Sequence, residues 1–320
     1  MDRESMMVGL KDMFGGGGEA GSFLGLPGTD IAAPEGDVIL FGADCATPYA
    51  SVGAYCAGGA DAIRAGSEAY AGDVSKVNFD LGGPVLPHGI SARDAGNLSL
   101  SPSEQAKNRL AIEAATRAII AAGGVPVLLG GDDSVPIPML TALDNAPLTI
   151  LQIDAHIDWR NEVEGETLGL SSTMRRASEM AHVERIVQVG ARGIGSARMT
   201  ELNAARDWGA HLVPARDLSR NGVGPVVDLI PEGARVAICF DCDALDPSIM
   251  PAVIAPTAGG LGYDAVLDLV EAVVKRAHVV AVDMVEFMPA ADRDGIGART
   301  AAQLLTSIIG LIARKRAETR

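Results

Sequence analysis

The sequence predicts an α/β protein, a single three-layer α/β/α domain built on a mostly parallel sheet. Three observations carry this. Short apolar-rich runs such as Leu148–Ile153 and Val236–Phe240 have the length and composition of strands buried on both faces. They alternate with segments of helical periodicity, the pattern of βαβ units. Several runs end directly in acidic residues, which fits an open sheet whose ligand crevice lies beyond the carboxyl ends of its strands.

The elements follow in order. Residues 1–36 are glycine-rich and irregular and read as an N-terminal arm lying over the body; residues 37–320 read as one catalytic domain. Val38–Phe41 (VILF) opens the sheet. Residues 42–100 are rich in Gly, Pro and Ser and read as mostly loop. A helix is predicted from Ser103 to about Ala122: Pro102 precedes it, Gly123-Gly124 ends it, and Leu110, Ala111, Ala114, Ala115, Ala118 and Ile119 repeat at helical spacing. Val125–Leu129 is then a strand running into Gly130-Gly131-Asp132-Asp133-Ser134. Further strands are predicted at Ile186–Val189, His211–Val213 and Val279–Val285, and further helices at Ser196–Trp208, Tyr263–Ala277 and Thr300–Ala317.

Composition narrows the function. Of 320 residues 48% are hydrophobic and 4% aromatic, so the core is expected to be mostly Ala, Val, Leu and Ile. The balance of 26 Lys and Arg against 41 Asp and Glu gives a net charge of −15, which disfavours nucleic acid or an anionic membrane and suits a cationic substrate. Cys239 and Cys242 form a C-x-x-C, but three residues apart on a strand they point to opposite faces, so neither redox chemistry nor zinc binding is expected. The N-terminus does not read as a secretory signal, and no uninterrupted apolar run approaches the roughly 18 residues of a membrane span. A cytoplasmic protein is the expectation.

The chemistry lies in two acidic clusters, Asp154-Ala155-His156-Ile157-Asp158 and Asp241-Cys242-Asp243-Ala244-Leu245-Asp246-Pro247. A single Asp after a strand is ordinarily a cap or turn residue. Alternation argues otherwise: in extended backbone Asp154, His156 and Asp158 project to one side, as do Asp241 and Asp243. Carboxylates and an imidazole gathered at buried strand ends need a counter-charge, and a pair of divalent cations supplies one. Asp132/Asp133 and Glu286, at the ends of two other strands, would meet them there.

These residues resemble the ureohydrolases, the arginase and agmatinase family. Its Asp-Ala-His-x-Asp signature is met by Asp154–Asp158. Its Ser-x-Asp-x-Asp-x-x-Asp-Pro signature is met by Asp241–Pro247 with Cys239 in the place of Ser. Val189–Gly193, Pro256 with Gly259-Gly260-Leu261, and Asp283–Pro289 are similar to its flanking segments; Ser22–Gly25 and Gly58–Arg64 fit weakly. The likeness spans about residues 22–310.

The resemblance implies an arginase-like fold and two divalent ions per chain, Mn2+ or Ni2+. It makes Asp154 and Asp241 the bridging carboxylates, Asp158 with Asp133 the remaining ligands of one ion, and His156 with Asp243 those of the other. It further implies a hydroxide held between the ions that attacks a guanidinium carbon, Asp246 orienting it or accepting its proton, and Glu286 anchoring the guanidinium. Two departures stand out. Asp133 occupies the place of a family His; it is either a ligand that hardens the site or a turn residue in a site that has lost one ion. Ser171, in Leu170–Met174, stands where many relatives carry His-Gly, so a proton-shuttling His is missing. Of the remaining histidines, only His88 is a spare within conceivable reach, and a surface-loop role suits it better.

The implied activity is cleavage of a small guanidino compound to urea and an amine. Agmatine or a guanidino acid is the conventional substrate; Asp133 and Ser171 add an alkylguanidine or a biguanide. The rival reading is a catalytically silent subunit that supports an active paralogue. Either form is expected in a homo- or hetero-oligomer, a trimer or hexamer. Trp159, Arg160, Asn161 and Glu162 follow the metal cluster and, with Ser171, are placed to line the substrate pocket; for Arg160 a salt bridge to Glu162 or Glu164 is an equal alternative.

Overall fold

The computed structural model describes residues 21–71, 74–195 and 197–319. In chain order these form β1 (Val38–Ala43), α1 (Gly59–Ser67), a short antiparallel pair β2 (Val77–Asn78) and β3 (Gly83–Pro84), β4 (Ala92–Asn97), α2 (Gln105–Ala121), β5 (Val125–Gly130), α3 (Pro136–Thr141), β6 (Leu148–Ile153), α4 (Thr173–Ala177) and β7 (Val183–Val189). There follow α5 (Met199–Trp208), β8 (His211–Val213), α6 (Ala215–Asn221), α7 (Gly224–Val227), β9 (Arg235–Asp241), α8 (Tyr263–Arg276), β10 (His278–Val285) and α9 (Ile296–Glu318).

Eight strands make one sheet in the order β4-β1-β5-β10-β9-β6-β7-β8. Every pairing within it is parallel. Its two faces carry separate cores. On one, Ile63 of α1, Leu269 and Val273 of α8, and Leu305 and Ile308 of α9 pack on Leu40, Val127 and Ile238. On the other, Ile112 and Ile119 of α2, Met139 of α3, Met174 of α4 and Ala205 of α5 pack on Ile39, Leu128 and Ile150. The predicted three layers are therefore present.

The sequence misplaces some elements in residues 42–100, which hold β4 and α1 as well as loop. β4 reads ARDAGN, an edge strand buried only at Ala92 and Asp94, so it lacks an apolar run. It is held by a buried ion pair: Asp94 accepts from Arg64 Nε at 2.8 Å and Nη2 at 2.9 Å, and also from the Phe23 backbone N–H at 2.8 Å. Residues 21–36 thus lie along this edge, with Phe23 and Leu24 buried; the rest of the predicted arm, residues 1–20, lies outside the described residues. α5 starts at Met199, with Arg198 as its N-cap and the Glu201 carboxylate accepting from the Arg198 N–H at 2.9 Å; the predicted start at Ser196 lies outside the described residues. α9 starts a turn earlier than predicted, after Gly295 in the left-handed region. By length and composition α9 could cross a membrane, yet 78% of its most apolar stretch is buried, the setting of a core helix.

The site is positioned by the centre of the sheet. The four strands followed by acidic residues, β5, β10, β9 and β6, are consecutive neighbours. Their carboxyl ends form one crevice.

Candidate active site and metal centre

Asp154 follows β6 directly, its N–H donating to Val189 O of β7 at 2.9 Å. Gly190, with φ at 115°, lets the next chain pass so close that a Cβ there would lie 2.6 Å from Asp154 O. The extended backbone expected over both acidic clusters is not what forms. Asp158 takes a left-handed conformation with φ at 50°, and Cys242–Ala244 is a 3-10 turn in which the Asp243 N–H donates to Asp241 at 2.6 Å. Curling the chain brings the side chains together more tightly than a straight strand would, since alternate residues on a strand lie well over 6 Å apart.

Two triads result, each with ligand atoms mutually within 4.8 Å: Asp133, Asp154 and Asp158; and Asp154, His156 and Asp243. Asp154 belongs to both. His156 Nδ1 lies 2.9 Å from Asp243 Oδ2 and 3.4 Å from Asp154 Oδ1. Asp243 also accepts from the Ala155 N–H at 3.0 Å. Asp241 is buried beside the triads, outside their 4.8 Å groups, and feels the charges of Asp243, Asp154, Glu286 and Asp133.

The doublet Asp132-Asp133 divides its work. One Asp132 oxygen accepts from the Ser134 N–H at 3.0 Å and from the Ser134 hydroxyl, fixing the turn. Asp133 faces the crevice with Oδ2 buried and without a hydrogen-bond partner. Its N–H donates to Glu286 Oε1 at 2.8 Å. Glu286, immediately after β10, has φ at 63° and is 4% exposed; such conformations are held by their surroundings and concentrate at functional sites.

The electrostatics of the cluster are those of a site suited to cations. Burial, then the charge of Asp154 and other neighbouring acids, pushes Asp133 and Asp158 well above the usual carboxylate range. Burial followed by Asp243 does the same to Asp241. Burial acts upward on Asp154 too, but hydrogen bonds with His156 and Asp158 outweigh it and hold its pKa down. Burial lowers His156, yet Asp154 and Asp243 overcome that and raise it to about 11. The imidazolium is the only positive side chain among the triad residues, a small return on so many buried carboxylates. Hard oxygen donors with one imidazole, a shared carboxylate and an orphaned Asp133 oxygen fit a pair of divalent metal ions.

A buried amide network supports this arrangement. Gln152, two residues before Asp154 on the same face of β6, donates from Nε2 to Asp154 Oδ2 and Asp158 Oδ2, both at 2.6 Å. Its carbonyl accepts from Gln188 Nε2 of β7, which also donates to Ile157 O at 2.7 Å. Trp159 Nε1 donates to Gln188 Oε1 at 2.7 Å. Arg192 spreads its guanidinium over carbonyls, donating from Nη2 to Asp243 O at 2.7 Å and Thr257 O at 2.8 Å and from Nη1 to Ala244 O at 3.1 Å. It clamps the Asp243 turn to the loop beyond it.

Other predicted residues lie differently. Both Asp246 oxygens serve a loop: one accepts from the Ser248 N–H at 3.1 Å and hydroxyl at 2.7 Å, the other from the Gly259 and Gly260 N–H groups at 3.1 Å each. Those bonds lower its pKa, led by the Ser248 hydroxyl, which makes it a weak base. Asn161 is exposed and accepts from Arg176 Nη2 at 2.9 Å. Ser171 is buried, its N–H donating to the Tyr49 hydroxyl at 3.2 Å and its carbonyl accepting from the Arg160 N–H at 3.0 Å. Sequence reasoning missed Tyr55, whose hydroxyl lies 2.7 and 2.6 Å from the two Glu286 oxygens. It also missed Gln152, although a polar residue two places before Asp154 in a buried strand was a usable signal.

Fold and site together define a hydrolase of the arginase-like α/β/α class. The chain belongs to the arginase family, whose pattern matches residues 36–310. It is 38% identical over 236 residues to the N(1)-aminopropylagmatine ureohydrolase of Thermus thermophilus, covering 73% of this chain and 77% of that one. It is 31% identical over 227 residues to the agmatinase of Pyrococcus horikoshii, covering 70% and 76%. Among solved structures, proclavaminate amidino hydrolase from Streptomyces clavuligerus superimposes with a TM-score of 0.77 at 27% identity, over 92% of this chain and 97% of that one. The chain stands with the agmatinase-like ureohydrolases of its family, hydrolases of amidine C–N bonds.

Proposed function

We propose that this chain hydrolyses a small guanidino compound, releasing urea and an amine, with two divalent ions, Mn2+ or Ni2+, as cofactors. The substrate is agmatine or another member of its chemical class: a guanidino acid, an alkylguanidine or a biguanide. The observation that carries the reading is the pair of triads sharing Asp154, set against the buried carboxylate of Glu286. When bound, the ions supply an acidified water and stabilise negative charge developing on it. Asp133 and Asp158 would hold one ion and His156 and Asp243 the other, Asp154 would serve both, and Asp241, buried beside the triads, would add its charge.

Glu286 receives the guanidinium, for which a charge-assisted pairing is the natural partner. Its pKa is pushed up to about 8, by burial first and then by the charge of Asp132, so an entering cation restores the ionised form. The net charge of −15 draws such a cation in. Asp246 shapes the rim of the crevice through the Gly259-Gly260 turn, a part that suits its filled oxygens better than proton transfer. Ser171, held through its backbone, bounds the pocket where many relatives carry a histidine, so the leaving amine takes its proton through water.

A panel of guanidino compounds with a urea readout tests the reading. Release from at least one compound is expected, and Glu286→Gln should lower kcat/KM at least about tenfold, since a bond to a charged group contributes ~1.5–3 kcal/mol. Metal content and Tm should stay unchanged in that variant. No urea from any compound, with little or no metal taken up by a folded oligomer, would instead indicate a catalytically silent subunit.

A further inference from the structure

The hydroxyl of Tyr55 sits where a substrate's guanidinium would. A carboxylate offers about four lone-pair directions. Tyr55 Oη lies 2.7 Å from Glu286 Oε1 and 2.6 Å from Oε2, so its proton points between the two oxygens, along the open edge of the carboxylate. That edge is the one a planar guanidinium needs for two parallel N–H bonds. The Asp133 N–H takes a further direction on Oε1 at 2.8 Å. What remains on Glu286 is room for one more donor, enough for a single N–H and too little for a fork.

The surroundings keep the phenol a donor. Burial, then the Glu286 charge, pushes its pKa far up, so it stays protonated at any working pH. It reaches Glu286 from the loop between β1 and α1, whose outer turn, Ser51 and Val52, is exposed, while the next residue, Cys56, is fully buried. Glu286 itself directly follows the central strand β10, its N–H donating to Gly131 O at 2.8 Å and its Oε1 accepting from the Asp133 N–H at 2.8 Å. Of the two partners, the loop is the one able to yield.

We propose that Tyr55 determines which ligands the site selects, by occupying the guanidinium seat on Glu286 as an internal competitor that a fork-shaped cation must displace. This rests on Glu286 being the guanidinium anchor. Compounds presenting two parallel N–H groups work against Tyr55; an alkylammonium, a point charge with no fork, can use the remaining position and meets less opposition. Tyr55 thus lowers the advantage of a plain terminal guanidinium and leaves selection to the rest of the molecule.

The test compares the metal-loaded protein with its Tyr55→Phe variant, which keeps the ring and removes the O–H. Binding of guanidinium ion and of butylammonium is measured by calorimetry, alongside urea release across the guanidino panel. Guanidinium should bind about tenfold more tightly or better to the variant, with butylammonium changed less than about threefold, and KM for terminal guanidino compounds should fall. A role confined to packing would shift Tm and weaken all ligands alike. Guanidinium affinity unchanged, reduced or undetectable in Tyr55→Phe overturns the proposal, as does an equal gain for both cations. If Tyr55→Phe does not fold, Tyr55→Leu is compared in the same way. Tighter guanidinium binding with no urea from either protein would keep the Tyr55 assignment and remove the hydrolase reading; urea release with an unaltered ligand ranking would do the reverse.

Discussion

Replacing Gln152 with leucine tests whether the buried amide network sets the metal site. Gln152 is 1% exposed, and its two N–H groups each meet a carboxylate oxygen at 2.6 Å. Leucine fills nearly the same volume and offers no donor. In the metal-free protein, Asp154 loses one charge-assisted bond, ~1.5–3 kcal/mol, and Asp158 loses a donor that favours its ionised form and so holds its proton more firmly. With ions bound, part of that loss is offset by the cation, and what remains is lost orientation of the ligands. Loss of such supporting partners typically lowers metal affinity about 10–100-fold. The Asp133/Asp154/Asp158 ion should weaken by this factor, and the Asp154/His156/Asp243 ion by less, because only its shared ligand touches Gln152. Competitive titration of apo protein against a fluorescent chelator, with Mn2+ and then Ni2+, measures both. Wild-type affinity for both ions in a folded Gln152→Leu protein would refute the reasoning.

Four further outcomes follow, three from the metal site and one from the β4 edge. Asp154→Asn removes the one carboxylate common to both triads, so elemental analysis should find both ions depleted and turnover lost while circular dichroism stays native. Metal affinity should rise with pH between about 6 and 9, by up to about tenfold per unit for each proton displaced, because an entering ion must expel protons from His156, raised to about 11, and from the raised Asp133, Asp158 and Asp241; affinity that is flat or falling over that range contradicts the assignment. In the metal-free protein His156 stabilises the fold fully below its ordinary pKa of 6.5, and that contribution disappears as pH rises through about 11. Arg64→Met leaves Asp94 buried without its cation, so denaturant titration should show a loss of ~3–5 kcal/mol, part of it recovered in Arg64→Met with Asp94→Leu.

Much of the fold was legible because a doubly covered parallel sheet writes its central strands as apolar runs. β5, β6, β9 and β10 were each readable, and so were α2, α8 and most of α9. β4 was not, since an edge strand held by Arg64 and Asp94 carries its stabilisation in side-chain charge rather than in pattern. α1 was hidden among glycines, its apolar face reduced to Ala60 and Ile63.

The acidic clusters were legible as a site, but for a reason the structure revises. Strand alternation would have aligned Asp154, His156 and Asp158; the left-handed turn at Asp158 and the 3-10 turn after Asp241 gather them instead. Local backbone of that kind is set by tertiary contacts and leaves no period in the sequence. Tyr55 was out of reach for the same reason, since only the folded loop carries it across to Glu286, 231 residues further along the chain.

The most direct test of the account is a metal count coupled to urea release. Protein stripped of metal with chelator and then titrated with Mn2+ or Ni2+ should bind two ions per chain and regain hydrolysis of a guanidino compound in step with their binding, with Mg2+ alone failing to restore it. Full activity in excess chelator after verified metal removal would contradict the account.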